Sequence, residues 1–197
     1  MHSTTSDPTA LPATAAHGLK IVVVGGFGVG KTTLVRSVSE IRPLSTEETM
    51  TQAGAGVDSL RGVPHKNTTT VAFDFGRITV DETFVLYLFG APGQERFWFL
   101  WDRLFTGALG AVVLVDARRL EDSWYSIDRL EARGTPFVVA HNNFGSPHTL
   151  DQIRAALDLD DAVPLVECDA RDRESVKQVL VTLVRHVMAT TTREVLR

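Results

Sequence analysis

Cysteine is nearly absent from this sequence. Cys168 is the single cysteine among 197 residues, so no disulfide can form within the chain, as is usual in a reducing compartment. Apolar runs long enough to cross a membrane are also missing. Basic charge is not in excess, because 20 Lys and Arg stand against 24 Asp and Glu for a net charge of -4. These absences argue against a disulfide-stapled domain, a membrane span and a nucleic-acid partner.

The two ends of the sequence lack targeting signals as well. The first residues, Met1-His2-Ser3-Thr4, have neither the basic and apolar regions of a secretory signal nor a Met-Gly myristoylation start. The last residues include no cysteine that a prenyl group would modify. We therefore expect a cytoplasmic protein with no direct membrane anchor, for which any recruitment to a membrane runs through a protein partner.

Composition divides the chain into one domain and two short tails. Residues 1–18 are rich in Ser, Thr, Ala and Pro and have few large apolar side chains, which predicts a flexible tail. Apolar runs begin after that tail, and 44% of the whole chain is hydrophobic. The prediction is a single domain over residues 19–190, followed by a short C-terminal tail at residues 191–197.

Apolar runs and helical stripes alternate along this domain. Runs such as Ile21–Val24 are typical of strands buried on both faces of a sheet, whereas residues 42–66 show no sustained period and predict a mobile loop. The alternation of predicted strands and helices along the chain indicates an α/β fold of three layers, in which a mostly parallel six-stranded sheet has one antiparallel hairpin strand. The predicted strands are 21–24, 71–79, 84–89, 111–115, 136–140 and 163–167, and the clearest helices are 31–39, 122–132, 150–157 and 176–187.

The strongest motif is a glycine-rich segment between the first strand and the first helix. Gly25 to Thr32 match the pattern G-x-x-x-x-G-K-[ST] in full, in the strand-to-helix context that the motif requires. Such glycines let backbone N–H groups surround phosphates, while Lys31 supplies a positive charge and the Thr32 hydroxyl can ligate Mg²⁺. A glycine-rich turn without a ligand is the alternative. The predicted phosphate-binding residues are Gly25, Phe27, Gly28, Val29, Gly30, Lys31, Thr32 and Thr33.

Four further segments occur in a characteristic order. They are Thr70-Val71-Ala72-Phe73-Asp74-Phe75, Gly90-Ala91-Pro92-Gly93-Gln94-Glu95, Asn142-Asn143-Phe144-Gly145 and Glu167-Cys168-Asp169-Ala170-Arg171. Their order and spacing resemble the signature segments of Ras-like small GTPases over about residues 19–188, and are most similar to the bacterial gliding-motility and conservon type. The resemblance implies the G-domain fold of P-loop NTPases and a signalling switch that binds Mg·GTP and slowly hydrolyses it to GDP and phosphate.

The resemblance assigns roles to individual residues around the γ-phosphate. Gln94 would orient the attacking water, Lys31 would stabilise charge, and the Gly93 N–H would bind the γ-phosphate. Thr32 and Thr70 would hold Mg²⁺, with Thr69 in place of Thr70 if the loop is shifted by one residue. No internal arginine finger is identifiable near Thr70, which predicts slow intrinsic turnover.

Two departures from the family pattern weaken parts of this assignment. Gly90 stands where the family has the Asp of D-x-x-G, which holds Mg²⁺ through water. Asp74 on the neighbouring strand could partly compensate, or it is simply a solvated or locally capped hairpin residue. The base motif N-K-x-D has kept Asn142, but Asn143 replaces Lys and Gly145 replaces Asp. Guanine selectivity should therefore be reduced, although the Ala170 backbone could still contact the base. A nucleotide-binding scaffold with little hydrolysis or relaxed base specificity is the alternative function.

Aromatic residues cluster directly after the Gln94 segment. Two of the three tryptophans of the chain lie between Arg96 and Phe105. A helix here would bury one face, and Trp98 and Phe99 would then point elsewhere and serve as a partner surface. Packing of all these aromatics inward is the alternative. By resemblance, the expected partners are a small regulatory protein of roadblock type and a sensor-kinase-like protein.

Overall fold

Four consecutive β-branched residues lie at the centre of the fold. Ile21 to Val24 are fully buried in the computed structural model, which describes residues 17–42, 44–49, 70–93, 97 and 100–195. A strand whose successive side chains are all buried must be covered on both faces. This strand also has a parallel neighbour on each side, Phe84–Gly90 and Ala108–Val115, so its backbone is paired along both edges.

The described residues form one seven-stranded sheet and five helices. The strands are β1 (His17–Val24), β2 (Leu44–Thr49), β3 (Thr70–Thr79), β4 (Phe84–Gly90), β5 (Ala108–Val115), β6 (Phe137–Asn142) and β7 (Leu165–Cys168). The helices are α1 (Lys31–Val38), α2 (Trp101–Phe105), α3 (Glu121–Arg133), α4 (Leu150–Ala156) and α5 (Arg173–Val195). In the spatial order β2-β3-β4-β1-β5-β6-β7, strand β3 runs opposite to the rest.

Helices cover both faces of the sheet and bury two separate cores. One core packs α1 and α5 against one face, with Leu34 and Leu183 among its fully buried side chains. The other packs α2, α3 and α4 against the opposite face around Trp101, Leu130 and Ile153. The predicted three-layer α/β class, with a mostly parallel sheet and one antiparallel hairpin strand, is confirmed.

The sheet carries one strand more than the six predicted. Strand β2 lies inside residues 42–66, for which the sequence predicted a mobile loop, and for these six residues that prediction is wrong. The strand pairs antiparallel with β3, from Leu44 opposite Phe75 to Thr49 opposite Thr70. Its sequence, Leu-Ser-Thr-Glu-Glu-Thr, has no apolar alternation. An edge strand held by backbone hydrogen bonds on one side needs no such alternation, so the hydrophobic pattern did not detect it.

Both ends of the domain extend further than the composition indicated. Strand β1 begins at His17, inside the predicted tail, and α5 runs for 23 residues to Val195, past the predicted boundary at residue 190. Helix α4 begins with a capping box, in which the Thr149 hydroxyl accepts from the Gln152 N–H and the Gln152 side chain accepts from the Thr149 N–H. Among the helices that the structure describes, none is both long and apolar enough to cross a membrane.

Two α5 residues with different burial give a stability prediction. Leu183 is fully buried, and a Cβ on Gly110 would lie 3.0 Å from its Cδ1, which shows how closely the helix packs on β5. We expect Leu183→Ala to lower the free energy of unfolding by about 2–5 kcal/mol, because it leaves a cavity in this contact. Urea denaturation followed by circular dichroism measures the change. Val181→Ala on the same helix is the control, since Val181 is 41% exposed and should cost less than about 0.5 kcal/mol. Equal losses in the two variants would contradict the assignment of the core.

Candidate functional site

The glycine-rich loop joins the end of β1 to the start of α1 in a conformation that requires glycine. Gly25 has φ +135° and Gly30 has φ +107°, both in the region that L side chains rarely adopt. A Cβ on Gly25 would lie 2.2 Å from the carbonyl oxygen of Leu114, and one on Gly30 would lie 2.7 Å from Asn142 Nδ2. The loop is therefore pressed against two neighbouring strands, with the N-terminus of α1 directly behind it.

Lys31 is buried at the base of this loop. Its Nζ donates hydrogen bonds to the carbonyl oxygens of Gly25 and Gly26, at 2.9 and 2.6 Å. Burial lowers the pKa of Lys31 to about 8, and the nearby carboxylates of Asp74 and Asp122 oppose that shift. The ammonium group is thus held by neutral carbonyls inside the loop, close to where a phosphate would take over those contacts.

A cavity of about 330 Å³ opens beside Lys31. Its lining consists of the loop, the first turn of α1 and the residues that follow β4, and it fits a chain of phosphates, since backbone N–H groups, one ammonium and a helix N-terminus converge on it. The lining residues are Phe27, Gly28, Gly30, Lys31, Thr32, Thr33, Asp74, Gly90, Ala91, Pro92 and Gly93.

Asp74 fills the space that a side chain at position 90 would need. The two residues are paired across strands β3 and β4, and a Cβ on Gly90 would lie 2.9 Å from the Asp74 Cβ. The Thr32 hydroxyl donates a hydrogen bond to Asp74 Oδ2 at 2.5 Å. Asp74 is half-buried, and this bond links it to α1 rather than to its own hairpin. A hydroxyl and a carboxylate side by side are the oxygen ligands that suit Mg²⁺, so Thr32 and Asp74 would hold that ion, which supplies positive charge to phosphate oxygens.

Gly93 lies against the phosphate loop. A Cβ on this residue would lie 2.6 Å from Lys31 Nζ and 2.9 Å from the Gly26 carbonyl, so glycine is needed for the close approach. Gln94, the predicted water-orienting residue, lies outside the described residues, as does Thr69. Thr70 is described only through its backbone, as the first residue of β3 paired with Thr49. The structure thus brings Gly93 to the site, and the roles of Gln94 and Thr70 stay predictions.

Two of the three predicted base-binding residues, Asn142 and Ala170, are joined by a hydrogen bond, and Asn142 is also bonded to the phosphate loop. Asn142 is buried; its Nδ2 donates to the Val29 carbonyl at 3.0 Å, and its Oδ1 accepts from the Ala170 N–H at 3.1 Å. Asn143 uses its Oδ1 to accept from the backbone N–H groups of Gly145 and Ser146. Asn142 therefore fixes the phosphate loop relative to Ala170, while the Asn143 oxygen stabilises its own turn.

The aromatic segment after Gly93 is described in part. Phe97, Leu100 and Trp101 are buried, and Trp101 packs against Phe105 and Tyr125 with ring centroids 5.6 and 5.5 Å apart. Burial of Phe97, Trp101 and Phe105 agrees with the prediction that the segment buries one helical face, and Leu100 is buried in addition. Trp98 and Phe99 lie outside the described residues, so the partner surface predicted there stays a prediction.

Sequence reasoning missed two arginines that follow β5. Asp116, at the end of that strand, is buried and accepts two-pronged hydrogen bonds from Arg118, which lower the pKa of the carboxyl. The next residue, Arg119, donates from Nη2 to the carbonyl oxygen of Phe27 in the phosphate loop at 3.1 Å. The sequence pattern that could have identified them is an acidic residue and two arginines directly after an apolar strand, at the same sheet edge as the phosphate motif.

Cys168 ends β7 close to the base site and gives a prediction about reactivity. The thiol is buried, and burial, with smaller contributions from the neighbouring carboxylates, raises its pKa to about 11. Because the thiolate is the reactive form, we expect the native protein at pH 8 to resist Ellman's reagent and to react fully in denaturing urea. Absorbance at 412 nm follows the reaction. Rapid stoichiometric reaction of the native protein would contradict the burial of this residue.

Three features define a nucleotide-binding P-loop protein with a G-domain-like fold. They are a glycine-rich loop between a strand and a helix, a buried lysine at its end and a hydroxyl–carboxylate pair beside it. The match to a known family agrees with this class. The chain belongs to the family described as conserved hypothetical ATP binding proteins, whose model matches residues 23–190.

Similar proteins and structures extend this comparison. An uncharacterized protein of Methanocaldococcus jannaschii, MJ1339, is 29% identical over 126 residues, which are 63% of this chain and 69% of that protein. The G domain of the T. maritima FeoB iron transporter superposes with a TM-score of 0.58 and 18% identity, over 86% of this chain and 99% of that one. The Methanococcus jannaschii FeoB G-domain gives 0.55 and 16%, over 87% and 98%. At these identities the two structures show that the fold is shared.

Proposed function

We propose that this protein is a Ras-like GTPase of the bacterial gliding-motility and conservon type, a signalling switch that binds Mg·GTP and hydrolyses it slowly. The observation that carries the proposal is the hydrogen bond between Thr32 and Asp74 beside the buried Lys31. It supports a metal-binding carboxylate supplied from β3, where the family pattern alone, with Gly90 in place of Asp, suggested that none was left.

The proposal also includes the base of the bound nucleotide, guanine or adenine. The shared fold with FeoB G domains supports GTP, whereas the family description refers to ATP. Gly145 leaves no carboxylate at the position where the family motif binds guanine, and the Ala170 N–H is already bonded to Asn142. We propose GTP, with a smaller preference over ATP than a complete N-K-x-D motif provides.

A scaffold that binds nucleotide with little hydrolysis or relaxed base specificity is the second candidate. The Ala170 N–H and the Asn143 oxygen favour this candidate, because both are already hydrogen-bonded and must rearrange before they contact a base.

For either function, we propose that Trp98 and Phe99 contact a roadblock-type regulator or a sensor-kinase-like partner. The support for this proposal is that Phe97, Leu100 and Trp101, at helical spacing, supply the buried face of the segment.

The decisive experiment identifies the nucleotide and follows its fate. The protein is purified, its bound nucleotide is identified by chromatography, and single-turnover release of phosphate from GTP and ATP is measured with Mg²⁺ and with EDTA. Preferential, Mg²⁺-dependent hydrolysis of GTP supports the switch. Tight binding without phosphate release supports the scaffold, and faster turnover of ATP would overturn the guanine assignment. Absence of binding to both nucleotides would contradict the proposal as a whole.

A further inference from the structure

Arg119 touches the phosphate loop from outside the known motifs. It follows β5 in the short segment before α3, and its Nη2 donates to the carbonyl oxygen of Phe27 at 3.1 Å. Its other contacts are looser, with Asp122 at 3.6 Å and Asp116 at 4.0 Å, and the side chain is 46% exposed. The guanidinium is therefore docked on the loop through one neutral acceptor and two longer ionic contacts, and much of it faces solvent.

The residue beneath this guanidinium is a glycine. Gly28 has φ +76°, and a Cβ built there would meet only Arg119 Nη2 within 4 Å, at 3.9 Å. Gly28 and Phe27 both line the phosphate cavity. Arg119 Nη2 therefore lies next to Gly28, a residue that borders this cavity and has no side chain.

The charges around the cavity leave a role for a second cation. Lys31 is the basic side chain among the described residues that line it, and Asp74 in the same lining is acidic. A nucleoside triphosphate carries several negative charges, and its hydrolysis places more charge on the oxygen between the β- and γ-phosphates. Arg118 is unsuited to this task, because Asp116 binds it at 2.6 and 2.9 Å. Arg119 has no comparably tight acidic partner.

We propose that Arg119 is a phosphate-contacting residue supplied by the chain itself, which exchanges the Phe27 carbonyl for the β- and γ-phosphates when a triphosphate binds. The inference rests on the proposed function. In the reaction, the oxygen of water forms a bond to the γ-phosphorus while the bond from that phosphorus to the bridging oxygen breaks. The products are the nucleoside diphosphate and inorganic phosphate, and the proton of the water leaves with the phosphate or to solvent. The guanidinium neutralises the charge that develops on the bridging oxygen.

The test compares Arg119→Ala and Arg119→Lys with a matched control, Arg129→Ala. Arg129 is a half-buried arginine on α3 that pairs with Asp102 at 3.3 Å, away from the phosphate loop. Three quantities are measured for each protein: the Kd for GDP, the Kd for guanosine 5′-(β,γ-imido)triphosphate, and the gain in GDP affinity with aluminium fluoride. Single-turnover hydrolysis of GTP is the fourth measurement.

For Arg119→Ala we expect a Kd for GDP within about threefold of wild type and loss of about tenfold or more in the affinity for the imido-triphosphate, the amount a charge-assisted hydrogen bond provides. The aluminium fluoride effect should disappear, and hydrolysis should slow by about 100-fold or more, since the interaction is strongest in the transition state. Arg119→Lys should lie between these values, because lysine retains the charge without the two-pronged geometry. Arg129→Ala should match wild type.

Three results would overturn the inference. Wild-type affinities and wild-type aluminium fluoride binding in Arg119→Ala would show that the guanidinium does not reach the phosphates. Equal loss of affinity for GDP and for the imido-triphosphate, with the aluminium fluoride effect intact, would show that Arg119 only holds the loop through Phe27. Failure of wild type and Arg129→Ala to bind either nucleotide would contradict the proposed function together with this inference, and so is distinguishable from failure of Arg119 alone.

Discussion

Replacement of Lys31 by alanine is expected to weaken nucleotide binding severely while leaving the protein folded. The Lys31 ammonium donates to the carbonyls of Gly25 and Gly26, and it is the basic group among the described residues that line the phosphate cavity. Two charge-assisted hydrogen bonds to phosphate are worth about 3–6 kcal/mol together, so triphosphate affinity should fall by about 100-fold or more. Titration with a fluorescent GTP analogue measures the loss.

Stability should respond differently to the same change. Burial of the ammonium lowers its pKa to about 8, which shows that the charged form is disfavoured inside the protein. Removing the group should therefore leave the melting temperature unchanged or slightly raised. Lys177→Ala is the matched control, because Lys177 is a half-buried lysine on α5 that pairs with Glu174 away from the phosphate cavity. Nucleotide affinity within threefold of wild type in Lys31→Ala would refute the phosphate site.

The second large effect concerns the carboxylate that β3 supplies. We expect Asp74→Gly to slow Mg²⁺-dependent hydrolysis by about 100-fold, the scale of losing one well-placed electrostatic group. Gly90→Asp alone should also be inactive and destabilised, because its Cβ would lie 2.9 Å from the Cβ of Asp74. The double variant Asp74→Gly/Gly90→Asp removes this clash and moves the carboxylate to the facing residue of β4.

This double variant should recover at least about tenfold of the lost activity, since the carboxylate returns to the same cavity beside Thr32. Single-turnover assays at several Mg²⁺ concentrations test the exchange, with melting curves to separate folding from function. Asp128→Asn is the control, because it alters an exposed aspartate on α3. If the double variant were less active than both single variants, Asp74 would not be a substitute for the missing aspartate.

The parts of this protein that depend on neighbours in sequence were predictable. The β-branched run Ile21–Val24, the glycine-rich loop after it and the helix from Lys31 follow from local preferences, because each depends on residues a few positions apart. The capping box at Thr149 is equally local. The hairpin of β3 and β4 was predicted from two apolar runs separated by a short turn.

What could not be predicted depends on residues that are distant in sequence. Strand β2 is mostly polar and is held by its backbone pairing to β3, so it has no apolar alternation from which a strand could be predicted. The link from Arg119 to Phe27 spans 92 positions and exists only because β1 and β5 are adjacent in the sheet. Spacing along the chain contains no information of this kind.

The sequence by itself determined the class of the protein. The phosphate-binding loop and the alternation of strands and helices depend on residues that are close in sequence, so both can be recognised without the fold. The tertiary structure alone decided which carboxylate lies at the candidate site. The cross-strand register places Asp74 against Gly90 and beside Thr32, 42 positions away. The physical reason is that a metal site requires groups to be close in space, and only the pairing of the strands sets that distance.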